Sequence, residues 1–169
     1  MRCTIDYACG NAVECALGEN QIGELCSLVL RSEGVQRDCF LSVTIVSDEE
    51  MRELNRKWRG NDRPTDVLSL ECERPDDPSL ADGEPCELGD IVLAPDYIAR
   101  QANAFGTTPR NETTLLVVHG VLHLLGYDHL EEDEARKMEA REDELVALAI
   151  GSEALGNTTL TRHRDEVGV

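Results

Sequence analysis

The stretch Leu115-Leu-Val-Val-His119-Gly-Val-Leu-His123-Leu-Leu-Gly-Tyr-Asp-His129 sets the architecture of this chain. It holds three of the protein's four histidines within eleven residues, in the longest apolar run. On a helix His119 and His123, four residues apart, point the same way, one turn above the other. Gly126 ends that helix, because a residue without a Cβ takes the left-handed C-terminal conformation at least cost. The chain then turns through Tyr127 and Asp128, and His129 swings back toward the first two rings. Three converging imidazoles describe a zinc site with a fourth position open for water. The alternative is a pair of core histidines, since Leu115 to Val118, Val121, Leu122, Leu124 and Leu125 surround them. Burial without partners costs roughly 2–7 kcal/mol per polar group, and a metal removes that cost for both rings.

The rest of the chain reads outward from this helix. Thr108-Pro109 starts it, proline being well tolerated at the first helical position. Pro95 opens a preceding helix to about Ala104, closed by Gly106. Glu131 to Ala149 forms a last charged helix whose apolar positions, Met138, Leu145, Val146 and Leu148, are too sparse for deep burial along its length. Residues 1–8 alternate weakly as an edge strand, and Phe40–Val46 is β-branched and reads as a buried one. Between them Gln21–Arg31 shows helical spacing, with Gly34 as its stop. Ser47 or Asp48 caps a helix whose apolar face is Met51, Leu54 and Trp58. Residues 66–70 and 88–93 are strands, antiparallel neighbours joined by the polar, acidic loop 71–87. The order β-α-β-α-β-β-α-α-α predicts an α+β fold: a single small domain over residues 1–150, with a mixed four-stranded sheet, helices packed against it and the metal site on a buried helix. Residues 151–169 read as a mobile C-terminal tail.

The 169 residues are 41% hydrophobic but only 4% aromatic, so the core is aliphatic. The net charge of −18 opposes indiscriminate binding of polyanions, and any RNA contact must come from a local basic patch. Seven cysteines, an odd number with no Cys-x-x-Cys pair, read as free thiols in a reducing cytosol; one of them as a fourth zinc ligand would close the site. The N-terminus has no apolar signal core, and Leu115–Leu125 is shorter than the roughly 20 residues that span a bilayer. A cytoplasmic protein is expected.

Gly120 stands where His-Glu-x-x-His zinc proteases carry their general base, which counts against a peptidase or amidase. Asp128 can orient a ligating histidine or cap the turn, and these roles are favoured over general base. Arg52, Arg56, Arg59 and Arg63 follow a helical stripe suited to phosphate, although a solvated face paired with Asp48, Glu49 and Glu53 is the commoner meaning of such a run. Ser69 and Asp66 line the same cleft or serve the strand edge. Asp90 reads as structural, and His163 as exposed in the tail.

The run His119 to His129 resembles the H-G-x-L-H-L-x-G-Y-D-H motif of the YbeY family of bacterial endoribonucleases. Leu54-Asn55 with Trp58-Arg59, Thr65-Asp66-Val67-Leu68-Ser69 and Leu88-Gly89-Asp90-Ile91 are similar to that family's other segments, over about residues 1–149. Leu70 in place of phenylalanine and the long 71–87 loop depart from its pattern. The resemblance implies a zinc-dependent, single-strand-specific endoribonuclease in maturation of the small-subunit ribosomal RNA 3′ end and in ribosome quality control. It implies one Zn2+ per chain held by His119, His123 and His129. His119 and Arg59 would be catalytic, and Arg59, Arg56 and Ser69 would bind substrate. The expected partners are single-stranded RNA, as a ribosomal RNA precursor or ribosomal particle, and a ribosome-associated protein; no DNA or membrane is expected. A ribosome-associated protein with structural zinc is the remaining alternative.

Overall fold

The computed structural model describes residues 1–10 and 13–150; the tail expected at 151–169 and His163 lie outside them. The elements are β1 (Cys3–Cys9), α1 (Glu19–Ser32), β2 (Cys39–Ile45), α2 (Asp48–Arg59), β3 (Val67–Glu71), β4 (Cys86–Leu93), α3 (Pro95–Phe105), α4 (Pro109–Leu124) and α5 (Glu132–Ile150). The four strands form one mixed sheet in the order β1-β2-β4-β3. β2 runs parallel to β1 and β4, and β3 is antiparallel to β4. No described helix is long and apolar enough to cross a membrane.

The helix boundaries follow local chemistry. The Ser47 hydroxyl accepts from the Glu50 backbone while the Glu50 carboxylate accepts from Ser47 N–H at 2.8 Å, so Ser47 caps α2. The Thr108 side chain accepts from Asn111 N–H and Pro109 follows at the first helical position, which fixes the start of α4. At its other end Tyr127 N–H reaches the Leu122 carbonyl at 3.0 Å, and Gly126 N–H the His123 carbonyl at 2.9 Å. With φ of +90° at Gly126 this is a Schellman motif.

α4 is buried on nearly every side, between the sheet and helices α1, α3 and α5. Gly120 lets it approach the sheet: a Cβ there would lie 3.1 Å from Ile91 Cδ1 and 3.2 Å from Ser69 Oγ. The main core gathers Val43 and Ile45 of β2, Leu88, Ile91 and Leu93 of β4, and Leu116, Val117 and Val121 of α4. A smaller core of Val46, Met51, Leu68, Val92 and Ala94 lies apart from it. Successive strand residues face opposite sides, so Ile91 and Leu93 meet α4 while Val92 meets α2. The small core ends before the last turn of α2. Trp58, read from sequence as part of the apolar face, is therefore 54% exposed, with the Lys57 ammonium 4.7 Å from its ring centroid.

Leu88-Gly89 carries a β-bulge that spacing alone does not show. The β2–β4 register passes from Phe40↔Glu87 to Leu41↔Gly89, leaving Leu88 as the extra residue. The inward phase thus changes from Cys86 and Leu88 to Ile91 and Leu93, all buried. Asp90 is turned outward, where its carboxylate accepts from the Ser42 hydroxyl at 2.5 Å. Gly89 has φ of +126°, and a Cβ there would stand 2.0 Å from the Leu70 carbonyl oxygen.

Candidate metal centre

His119 and His123 come from the last two turns of α4, and His129 from the loop after its glycine stop. Their ring centroids lie 4.4 Å (His119–His123), 5.0 Å (His123–His129) and 5.6 Å (His119–His129) apart. One ring nitrogen from each falls within 4.8 Å of the others, close enough to hold one metal ion. Two of the rings are fixed by partners that only accept hydrogen bonds. His119 Nδ1 lies 2.7 Å from Glu142 Oε1, and His123 Nδ1 lies 2.9 Å from the Tyr127 carbonyl. Nδ1 therefore carries the hydrogen in both rings, and Nε2 keeps the lone pair a metal requires. Burial, then the neighbouring His119 and His129, push the His123 imidazole down to about 3. It stays neutral, the ligating form. The donor set fits a first-row ion such as zinc. Among the described residues no cysteine or carboxylate joins the three histidines, and all seven cysteines are free thiols.

The three histidines open onto a cleft of about 310 Å³ lined also by Arg59, Thr65, Asp66, Ser69, Gln101 and Asp128. Arg59 reaches it from the last residue of α2, before Gly60 turns the chain with φ of +74°. Arg52 and Arg56 do not share this position. Arg52 forms a two-point pair with Asp62, at 2.9 Å for each contact, and Arg56 approaches the same carboxylate at 3.9 Å. Arg56, expected to bind substrate, is not among the cleft residues: on the helix it lies nearly a full turn before Arg59, beside the Asp62 loop. The arginine stripe is thus divided, with a solvated, paired part and one member at the cleft.

Ser69 on β3 lines the cleft, one of the two places the sequence left open for it. Asp66 lines it too, but its carboxylate is engaged by Val67 N–H at 2.7 Å, the Thr65 hydroxyl at 3.1 Å and Gln101 Nε2 at 2.8 Å. Gln101 also donates to buried Glu112 at 3.0 Å. Asp128 accepts from His129 N–H at 2.7 Å, so it caps the turn that delivers the third histidine. The carboxylate that orients a histidine is instead Glu142 of α5, 3% exposed. Glu142 was missed because α5 reads as a charged surface helix. It falls on the stripe Met138, Glu142, Leu145, at steps of four and three, where a glutamate among apolar residues signals a buried partner.

The family model described as Endoribonuclease YbeY matches residues 10–149. Endoribonuclease YbeY of Halalkalibacterium halodurans is 43% identical over 135 residues, 76% of this chain and 84% of that protein. Endoribonuclease YbeY of Desulfitobacterium hafniense is 41% identical over 152 residues, 83% of this chain and 95% of the relative. The solution structure of TM1509 from Thermotoga maritima matches with a TM-score of 0.60 at 28% identity, over 89% of this chain and 91% of that one.

Proposed function

This chain belongs to the Endoribonuclease YbeY family, and we propose that it is a zinc-dependent endoribonuclease specific for single strands. Its substrate is ribosomal RNA, in maturation of the small-subunit 3′ end and in ribosome quality control. The observation that carries the reading is the meeting of three imidazoles and one cleft-facing guanidinium, from three separate elements, in a single cleft. His119, His123 and His129 would hold one Zn2+ per chain. When bound, the ion supplies Lewis-acid polarisation of a phosphate oxygen or a more acidic water.

The chain's own residues supply orientation and charge. Glu142 and the Tyr127 carbonyl hold two imidazoles in one tautomer, so the ligand nitrogens need no rearrangement. Arg59 presents a planar fork of N–H donors matched to a phosphodiester. No ion pair or hydrogen bond is recorded for its side chain among the described residues, so its charge is available to the developing charge on phosphorus. Ser69 offers a hydroxyl on the cleft wall. Gly120 leaves no room for the glutamate of a zinc peptidase, because its Cβ position already touches Ile91 and Ser69.

The test is metal content and RNA cleavage in the parent and His123→Ala, with folding checked by circular dichroism. A folded variant that loses both supports the reading; one that keeps full activity contradicts it. Cleavage of peptides by the zinc-loaded parent, abolished by a chelator, would move the assignment to a hydrolase of another class.

A further inference from the structure

A second cavity, of about 210 Å³, adjoins the metal cleft and shares Arg59, Ser69, His123 and Asp128 with it. Its far wall adds Glu71, Arg74, Gly126 and Tyr127. Arg74 comes from the start of the long acidic connection between β3 and β4. Among the described residues it is the one arginine or lysine besides Arg59 that lines either cavity. We propose that Arg59 and Arg74 bracket a second phosphate subsite, in which Arg74 takes the RNA phosphate next to the one being cleaved; this rests on the endoribonuclease reading above.

Three features build the subsite. Arg74 is held in place, since its Nε and Nη2 each contact Glu71 at 2.9 Å. A guanidinium has five N–H donors, so the two on Nη1 and one on Nη2 are left for a ligand. Arg74 also lies flat against the turn that carries the metal ligands. A Cβ at Gly126 would come within 2.7 Å of both Cζ and Nη1, so the glycine that ends α4 also admits the guanidinium. Finally, the position suits a chain that follows the cleft: a strand held at Arg59 reaches Arg74 past Ser69 and His123. Glu71 and Asp128 face the same space and oppose an anion. Asp128 is engaged by the His129 backbone, and Glu71 is the carboxylate with which a phosphate must share the Arg74 guanidinium.

The experiment measures binding of a short single-stranded RNA, 2′-O-methylated to block attack by its own hydroxyls and shown intact by gel after each titration, to the zinc-loaded full chain over a range of salt. Arg74→Ala, Glu71→Gln and the remote surface control Arg136→Ala, whose parent residue pairs with Glu132 on α5, are compared with the parent. Loss of one phosphate contact lowers the slope of log K against log salt by about 0.7 for a single strand. Arg74→Ala is expected to show that change and about tenfold weaker binding. Glu71→Gln is expected to bind more tightly, and Arg136→Ala to match the parent. If the parent cleaves RNA and Arg74→Ala binds with unchanged affinity and slope, the subsite is wrong and the nuclease reading stands. If the parent neither binds nor cleaves RNA, both fall together.

Discussion

Glu142 Oε1 lies 2.7 Å from His119 Nδ1, joining the middle of α5 to the C-terminal half of α4 through two buried side chains. A carboxylate in this position fixes the tautomer and the orientation of the imidazole. Glu142→Ala is expected to lower zinc affinity 10–100-fold, read by competition with a chromophoric chelator. Glu142→Gln keeps an acceptor and should lose less. Equal affinity in the parent and the alanine variant would show that the contact serves packing alone.

The bulge at Leu88-Gly89 makes a stability prediction independent of function. Any side chain at residue 89 meets the Leu70 carbonyl at 2.0 Å in a backbone conformation with φ of +126°. Strain at such a position costs about 1–3 kcal/mol and overpacking a similar amount. Gly89→Ala should therefore destabilise by about 3 kcal/mol or more, measured by urea denaturation. A loss below about 0.5 kcal/mol would mean that the bulge relaxes.

Zinc that binds the folded chain and not the unfolded one must stabilise it. At a free-metal concentration 100 times the dissociation constant the gain is about 2.7 kcal/mol. For a domain of this size that corresponds to roughly 5–10 °C in Tm. Chelation should lower Tm by this amount and zinc should restore it, while His129→Ala should show little response. A parent whose Tm ignores both chelator and zinc would contradict the metal assignment.

The charge of −18 acts against the proposed substrate at long range. Among the described residues only Arg59 and Arg74 supply arginine to the two cavities. Cleavage should accordingly be faster when the RNA is presented in a ribosomal particle than as naked RNA at low salt. Equal rates on both would show that the local cations suffice.

Much of this was legible in the chain because it rests on local chemistry. Proline and threonine start α4, Gly126 stops it, and histidines four apart share a face; each rule acts within one or two turns. Among the described residues the four strands and five helices appear in the expected order for the same reason. What could not be read depends on elements meeting. Glu142 looks like a solvated glutamate until α5 is packed on α4. Arg56 and Arg59 have the same chemistry in sequence, and only Asp62 and the end of α2 separate them. The bulge at Leu88-Gly89 hides because a glycine within an apolar strand fits several backbone paths. Arg37 offers a last case: its guanidinium donates to the carbonyls of Pro75, Ala81 and Glu84 and so ties down the acidic connection, a long-range contact with no local signature.

The proposed function requires one cleft to join a three-histidine metal site to a phosphate-holding Arg59. It is tested most directly by cleavage of an end-labelled single-stranded RNA, comparing zinc-loaded parent with Arg59→Ala purified identically and shown to carry the same metal content. The parent is expected to cleave and the variant to lose at least about 100-fold, the scale of removing one charge-stabilising donor. Equal cleavage by the two proteins, or none by the zinc-loaded parent, would contradict it.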